Sequence, residues 1–148
     1  MGDGRRVDRR LTVVGAVLSF VASAGMRVSN LSTVTRVTTT IARIGTFGST
    51  KRAPTDVAAT VVAVERRIPG SSCLTTAIVA RSLLVAFGYD VDVRIGVQRN
   101  DHGIFAHAWV TVDGRPIVGD DVDLEEYEPL GSGGLGDYSA HRDHESGA

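Results

Sequence analysis

Cysteine is nearly absent from this sequence, and the net charge is close to zero. The single cysteine among 148 residues excludes an internal disulfide framework and a cysteine-rich zinc site. Sixteen basic and seventeen acidic residues leave a net charge of −1, so no overall field recruits nucleic acid or an anionic membrane. A lone thiol is most easily kept reduced in the cytoplasm, where it is either packing material or a reactive group.

An apolar segment near the N-terminus, residues 11–28, follows a basic run at residues 5–10. The segment contains Ala22-Ser23-Ala24, which looks like a small-residue cleavage site, so this order imitates a secretory signal peptide. Glycine, serine and threonine make this segment less apolar than a typical membrane-spanning helix. This composition favours an N-terminal helix of the domain. We therefore expect a cytoplasmic protein, with peripheral membrane contact through residues 11–28 left open.

The length suits one domain, and a hydrophobic content of 43% is enough to fill its core. We expect residues 1–54 to be a helical lead-in of that domain, residues 55–130 to form its catalytic core, and residues 131–148 to be a disordered tail. A second helix around residues 34–44 is left open, because its many β-branched residues have low helix propensity.

The core pattern predicts an α+β fold, in which helices pack on a small antiparallel sheet. Apolar spacing indicates one helix from residue 55 to Pro69-Gly70, and a second from Cys73 to Phe87 with a serine cap before it and Gly88 after it. Strict alternation then predicts strands at residues 89–97 and 104–112, joined by a polar loop, and a return strand at residues 115–120. The return follows a tight Asp113-Gly114 turn, and Pro116 places it at an edge of the sheet.

The candidate catalytic residues are Cys73, His107 and Asp120. Cys73 lies in the first turn of a helix, where unpaired N–H groups and the positive end of the helix dipole favour a thiolate. A thiolate that attacks a carbonyl needs an imidazole to hold the proton, and the imidazole needs a third group to orient it. The elements occur in the order helix, strand, strand, turn and acidic residue. A fold with this order can bring Cys73, His107 and Asp120 together.

The third residue depends on the register of the predicted hairpin. Counting pairs outward from a two-residue Asp113-Gly114 turn places Asp120 beside His107, because cross-strand partners share a face. A one-residue bulge would instead offer Gly119 or Asp121. The choice between Asp120 and Asp121 therefore rests on the turn.

A structural explanation competes with the catalytic one. A single cysteine on a helix is often packing, and His107, which lies near Trp109, could be a satisfied structural histidine. The remaining histidines, of which two are in the expected tail, make a poor ligand set, so we expect no metal and no cofactor. The catalytic interpretation is favoured because Cys73 at a helix start and His107 on a strand occur together in one sequence.

Several segments resemble the transglutaminase-like leader peptidases of lasso peptide biosynthesis. The resemblance covers about residues 55–130 and is carried by Cys73-Leu74, Ala77, Leu83-Leu84, Arg94-Ile95-Gly96-Val97, Phe105-Ala106-His107-Ala108-Trp109-Val110 and Asp113-Gly114-Arg115-Pro116-Ile117. It implies a papain-like core with a Cys-His-Asp triad, in which Cys73 is the nucleophile and His107 the base. An ungapped comparison places the acid of the family one position before Asp120.

The resemblance also implies a reaction and its partners. A cysteine peptidase of this kind removes the leader from a ribosomally made precursor, so that an asparagine-synthetase-like lasso cyclase can close the macrolactam ring. Leader recognition in this family is commonly the task of a separate small protein, so we expect the precursor peptide, that recognition protein and the cyclase as partners. The alternatives are another Cys-His-Asp acyl-transfer enzyme, such as an amidase or a transglutaminase-like transferase, and a non-catalytic peptide-binding scaffold.

Overall fold

Helices cover one face of a small antiparallel sheet, as the α+β prediction requires. The computed structural model describes residues 9–46 and 50–130. Within them lie α1 (Arg9–Val28), α2 (Leu31–Thr46), α3 (Pro54–Glu65), α4 (Cys73–Ala86), β1 (Val91–Asn100), β2 (Gly103–Val112), β3 (Arg115–Val118), a 3₁₀ turn (Leu124–Glu126) and β4 (Glu128–Pro129). The predicted tail, residues 131–148, is outside the described residues.

The helix that begins at Cys73 is the centre of the core. Its buried side chains lie on more than the single stripe that the sequence indicated, and α4 contacts each of the other helices and the strands β1, β2 and β3. A helix that is apolar nearly all round is stable only when neighbours cover all of its sides. The boundaries agree with the prediction, because Ser72 caps the start and Gly88, with φ +84°, follows the end.

The region around residues 34–44, left open by the sequence, lies within one full helix, α2. Asn30 begins α2, since its side-chain oxygen accepts the backbone N–H of Thr33 at 2.9 Å. The threonines are accommodated because their hydroxyls are satisfied locally; Thr38, for example, donates to the carbonyl of Val34 at 2.9 Å and accepts from Ser82 of α4 at 2.9 Å. Tertiary packing therefore overrides the low propensity.

The sheet has the strand order β3-β2-β1-β4. Strands β1 and β2 pair without interruption from Val91–Val112 to Asn100–Gly103, so the connection is the two-residue turn Asp101-His102. The predicted polar loop at residues 98–103 is therefore wrong for most of its length. Its residues have partners across the hairpin, and pairing of these backbone groups outweighs their polar character.

The second hairpin confirms the turn but not the whole register. Asp113 and Gly114 have φ values of +50° and +76°, as a tight hairpin turn requires, and β3 lies at an edge of the sheet. Thr111 pairs with Pro116 as counted, but Val110 pairs with Val118. Ile117 is thus the extra residue of a β-bulge, and the outward count that placed Asp120 opposite His107 is wrong beyond Thr111.

Residues 119–127, here called the crossing segment, connect the two edges of the sheet. They leave β3 at one edge and reach β4, which pairs with β1 at the other edge through Gly96–Pro129 and Val97–Glu128. The sequence of this segment is acidic from residue 121. The chain here passes over the sheet face opposite to α4. The core side chains Val93, Ala108, Val110 and Val112 occupy the face that α4 covers.

Candidate functional site

Cys73 is the first residue of α4, as predicted. Ser72, in an extended conformation, caps the helix by accepting the backbone N–H of Thr75 at 3.2 Å, and its carbonyl accepts the N–H of Thr76 at 3.0 Å. The first turn contains no acidic residue. Cys73 is half-buried and packs at the margin of the core that also contains Ala108, so part of the side chain remains accessible.

The loop before Cys73 is held by a buried carboxylate. Glu65, at the end of α3, is only 5% exposed and accepts hydrogen bonds from the hydroxyls of Ser19 in α1 and Ser71. Ser71 lies two residues before the cysteine. One carboxylate thus joins α1, the end of α3 and the entry to α4, which restricts where the first turn of α4 can lie.

His107 lies on β2, with its ring hydrogen-bonded to the main chain. Its Nε2 lies 2.7 Å from the carbonyl oxygen of Gly119. A carbonyl can only accept, so Nε2 carries the proton in this contact, and Nδ1 is left as an acceptor when the ring is neutral. The carbonyl thereby sets the tautomer and the orientation of the ring, which is the task of the third group in a triad.

Aromatic rings and two glycines surround His107. The ring stacks on Trp109, with centroids 6.3 Å apart, and tilts against Tyr127 at 5.5 Å. Gly96 pairs with His107 across the strands. A Cβ at this position would lie 2.9 Å from the Cβ of Tyr127 and 3.1 Å from the Trp109 ring, so only glycine fits without a shift. The crossing segment can therefore pack directly over this face.

The predicted catalytic residues are not joined to one another in the structure. Alternation along β2 places His107 on the face opposite to Ala108, which belongs to the core under α4. In the part of the chain that the structure describes, the sulfur of Cys73 takes no hydrogen bond from or to His107, and the ring of His107 bonds to Gly119 alone. Asp120 lines a cavity of about 430 Å³ between α3 and β3.

Neither aspartate contacts the imidazole in this arrangement. The bulge at Ile117 and the positive φ of Gly119, +78°, turn the chain away from β2 after Val118. The Gly119 carbonyl, the nearest polar group of this stretch, reaches the ring first. Asp120 and Asp121 are both exposed, one and two residues further along the chain.

Three contributors to the site carried little signal in the sequence. Gly119 was one of the residues a bulge would offer, but nothing indicated that its main-chain oxygen would be the partner. Tyr127 lay in an acidic stretch without periodicity. Glu65 is a charged residue within an apolar helical pattern, and only its position six residues before Ser71 could have suggested a cap for the loop.

One charged side chain of α4 lies at the contact with the sheet. Burial lowers the pKa of the Arg81 guanidinium, and the carboxylate of Asp92 on β1 opposes this by raising it. Arginine keeps its charge at neutral pH in spite of such burial. The cation is carried on the same helix as Cys73, eight residues further on.

Comparison with models of protein families gives one description, Transglutaminase-like superfamily, over residues 16–132. Neither a search of curated proteins nor a search of solved structures found a match. The matched span begins within α1 and extends past β4, so it includes the N-terminal helices together with Cys73, His107 and both aspartates.

Proposed function

The chain belongs to the transglutaminase-like superfamily, and we propose that it is the cysteine peptidase that removes the leader from a lasso peptide precursor. The observation that carries this proposal is the placement of Cys73, half-buried at the capped, acid-free start of the central helix. A thiol in this setting meets backbone N–H groups that can also stabilise an oxyanion. The resemblance of the Cys73 and His107 segments to leader peptidases supplies the substrate class.

In the proposed reaction, Sγ of Cys73 attacks the carbonyl carbon of the bond between leader and core. The thiol proton passes to His107, and the ring returns it to the amine of the core as the C–N bond breaks. The leader remains as a thioester on Cys73. Water then adds to the thioester carbon while His107 takes a proton from it. The C–S bond breaks, the ring returns the proton to the sulfur, and the leader leaves with a free carboxylate.

This reaction requires a contact that the described arrangement lacks. With Nε2 bonded to Gly119, the acceptor Nδ1 is the nitrogen available to the thiol, so the ring has the correct tautomer for a base. The sulfur and Nδ1 must still come within hydrogen-bond distance. His107 and α4 lie on opposite faces of the sheet, so this contact needs a local rearrangement of β2. We assign that rearrangement to binding of the precursor with its recognition protein.

Asp120 is proposed as the acidic member of the site. Its backbone N–H belongs to the same peptide unit as the Gly119 carbonyl that holds the ring. A carboxylate at this position can stabilise the imidazolium through the field even without direct contact. Asp121 provides a matched comparison: we expect Asp120→Asn to lower kcat more than Asp121→Asn, and the reverse order would transfer the role to Asp121.

The lack of contact between Cys73 and His107 favours one second candidate, a non-catalytic scaffold that binds a peptide. A scaffold would hold the precursor without scission and would tolerate loss of the thiol. An amidase or transglutaminase-like transferase would instead leave the precursor intact but act on a small acyl substrate in a manner that depends on Cys73.

The experiment incubates the full chain with a precursor and its recognition protein and follows the products by mass spectrometry. We expect one scission at the junction of leader and core, lost in Cys73→Ala and retained in Thr76→Ala, which alters a half-buried residue of the same helical turn. Scission that survives Cys73→Ala would overturn the proposal. Binding without scission by the wild type would identify the scaffold.

A further inference from the structure

The outward face of α1 is apolar along its length. One stripe of the helix is exposed and consists of the residues Arg9, Val13, Ala16, Val17, Phe20, Ala24, Arg27 and Val28, here called the outer stripe. Phe20 is 75% exposed and Val28 84%. These positions recur at intervals of three and four residues, so they lie on one side of the helix. A row of large apolar side chains that faces solvent along a whole helix marks an interaction surface.

The adjacent helix extends this surface. α1 and α2 pack closely at two places, where Gly25 lies against Val34 and Gly45 against Val14. On α2, Val37 and Ile44 are exposed, at 44% and 70%. The opposite side of α2, at Thr38, bonds to Ser82 of α4, so α4 lies behind both helices rather than in front of them.

The two charged residues of the outer stripe are both positive. Arg9 stands at one end and Arg27 at the other, and no acidic residue occurs between Asp8 and Asp56. The acidic residues are concentrated instead in the crossing segment and its neighbours. The overall charge of −1 therefore hides a strong separation of charge along the chain.

From this pattern we infer that the outer stripe docks the protein on the surface of an anionic phospholipid bilayer. Apolar side chains would enter the boundary between headgroups and acyl chains, and the arginines would meet lipid phosphates. The outer stripe runs along all 20 residues of the helix, about 30 Å at the usual rise, so the helix would lie along the surface over its whole length.

A second copy of the chain suits the outer stripe less well. Two copies related by a twofold axis across this stripe would bring Arg9 of one against Arg27 or Arg9 of the other. No carboxylate within residues 9–46 could compensate for that repulsion. An anionic lipid surface supplies the missing counter-charge.

A membrane-spanning arrangement conflicts with the packing of α1. By length and composition alone, the helix could cross a membrane. Its inner face, however, includes the buried residues Leu11, Gly15, Leu18, Ser19 and Ala22, and Ser19 bonds to Glu65 of α3. Insertion would strip α1 from three other helices and leave Glu65 without one of its donors.

Flotation of the full chain with lipid vesicles tests the inference. We expect binding to vesicles of phosphatidylcholine mixed with phosphatidylglycerol, weak binding to phosphatidylcholine alone, and release by high salt. The double variant Val17→Ser with Phe20→Ser should bind about tenfold more weakly, because both apolar side chains are lost from the stripe. Arg9→Gln with Arg27→Gln should lose about fivefold per arginine.

The matched control is Ile104→Ser with Phe105→Ser, which removes two exposed apolar side chains from the β1–β2 hairpin. This variant should float as the wild type does. Three results would overturn the inference: no flotation of the wild type with anionic vesicles, equal loss in the hairpin control, or resistance of the bound protein to alkaline carbonate, which would indicate a span. Sedimentation that shows a dimer broken by the stripe variant, without vesicle binding, would assign the stripe to a second copy.

Discussion

The carbonyl oxygen of Gly119 lies 2.7 Å from Nε2 of His107, where the sequence predicts a carboxylate. A carbonyl sets the tautomer of the ring as a carboxylate would, but it carries only a dipole. It therefore stabilises a charged imidazolium less than a carboxylate does. In the proposed mechanism, Gly119 orients the base and Asp120 stabilises its charge.

Gly119→Ala should disturb the histidine beyond the cost of backbone strain. Its φ of +78° costs an L-residue about 1–2 kcal/mol. The new Cβ would also lie 2.8 Å from the carbonyl oxygen of Ala108 and 3.1 Å from Nε2 of His107. We expect at least about a tenfold loss in kcat for leader removal, and a shifted His107 ring signal in NMR spectra.

Gly114→Ala is the matched control for this prediction. Gly114 has a similar φ of +76°, but a Cβ there would meet nothing within 4 Å. It should show a comparable loss of stability with an unchanged His107 signal. If both variants move that signal equally, backbone strain in the hairpin explains the effect and the Gly119 carbonyl has no special role.

Gly96→Ala should push the crossing segment away from the sheet. The added Cβ would lie 2.9 Å from that of Tyr127 and 3.1 Å from the ring of Trp109. Overpacking of this kind costs about 1–3 kcal/mol. Because Trp109 is the single tryptophan of the chain, its fluorescence should shift to longer wavelength as the ring becomes wetter. An unchanged spectrum would show that Tyr127 moves aside without exposing Trp109, which would contradict the prediction.

Ser72→Ala should loosen the turn that carries the thiol. The substitution removes the oxygen that accepts the N–H of Thr75, at a cost of about 1 kcal/mol in the free energy of unfolding. Ser72→Asp restores an acceptor and should recover the stability. Chemical denaturation measures the free energy of unfolding of both variants. Equal values for Ser72→Ala and wild type would mean that the cap contributes nothing to stability.

Glu65→Gln should weaken the junction between α1, α3 and the loop before Cys73. An amide keeps one acceptor oxygen but loses the charge that strengthens both hydrogen bonds from Ser19 and Ser71. We expect a loss of about 1–3 kcal/mol on unfolding. Alkylation of Cys73 by iodoacetamide should also change, because Ser71 no longer anchors its loop.

Glu125→Gln provides the comparison for Glu65, since it removes the same charge from an exposed glutamate. Neither stability nor alkylation should respond to it. A Glu65→Gln protein that loses stability but alkylates as the wild type does would limit Glu65 to holding the helices together.

The helices and the hairpin turn could be predicted because their signals are local. Ser72 and Gly88 delimit α4 by capping chemistry, and Asp113-Gly114 determines a turn. The helix α2 was left open because propensity counts against its threonines, while the hydrogen bond between Thr38 and Ser82 is a tertiary fact. Residues distant in sequence stabilise that helix.

The site was only partly predictable for the same reason. The positions of Cys73 on a helix start and His107 on a strand follow from periodicity. The partner of His107 depends on one inserted residue, Ile117, and a bulge leaves no clear mark in composition. A main-chain acceptor such as the Gly119 oxygen has no residue-type signature at all, so only coordinates could identify it.

The crossing segment is tethered at both edges of the sheet, and the histidine ring lies beneath it between the two attachment points. A protease nick in its acidic middle, residues 121–126, would cut this strap without severing any α-helix or the strands β1, β2 and β3. Such a nicked protein would keep its thiol in place while the imidazole lost its alignment, so the two halves of the chemistry could be disabled separately.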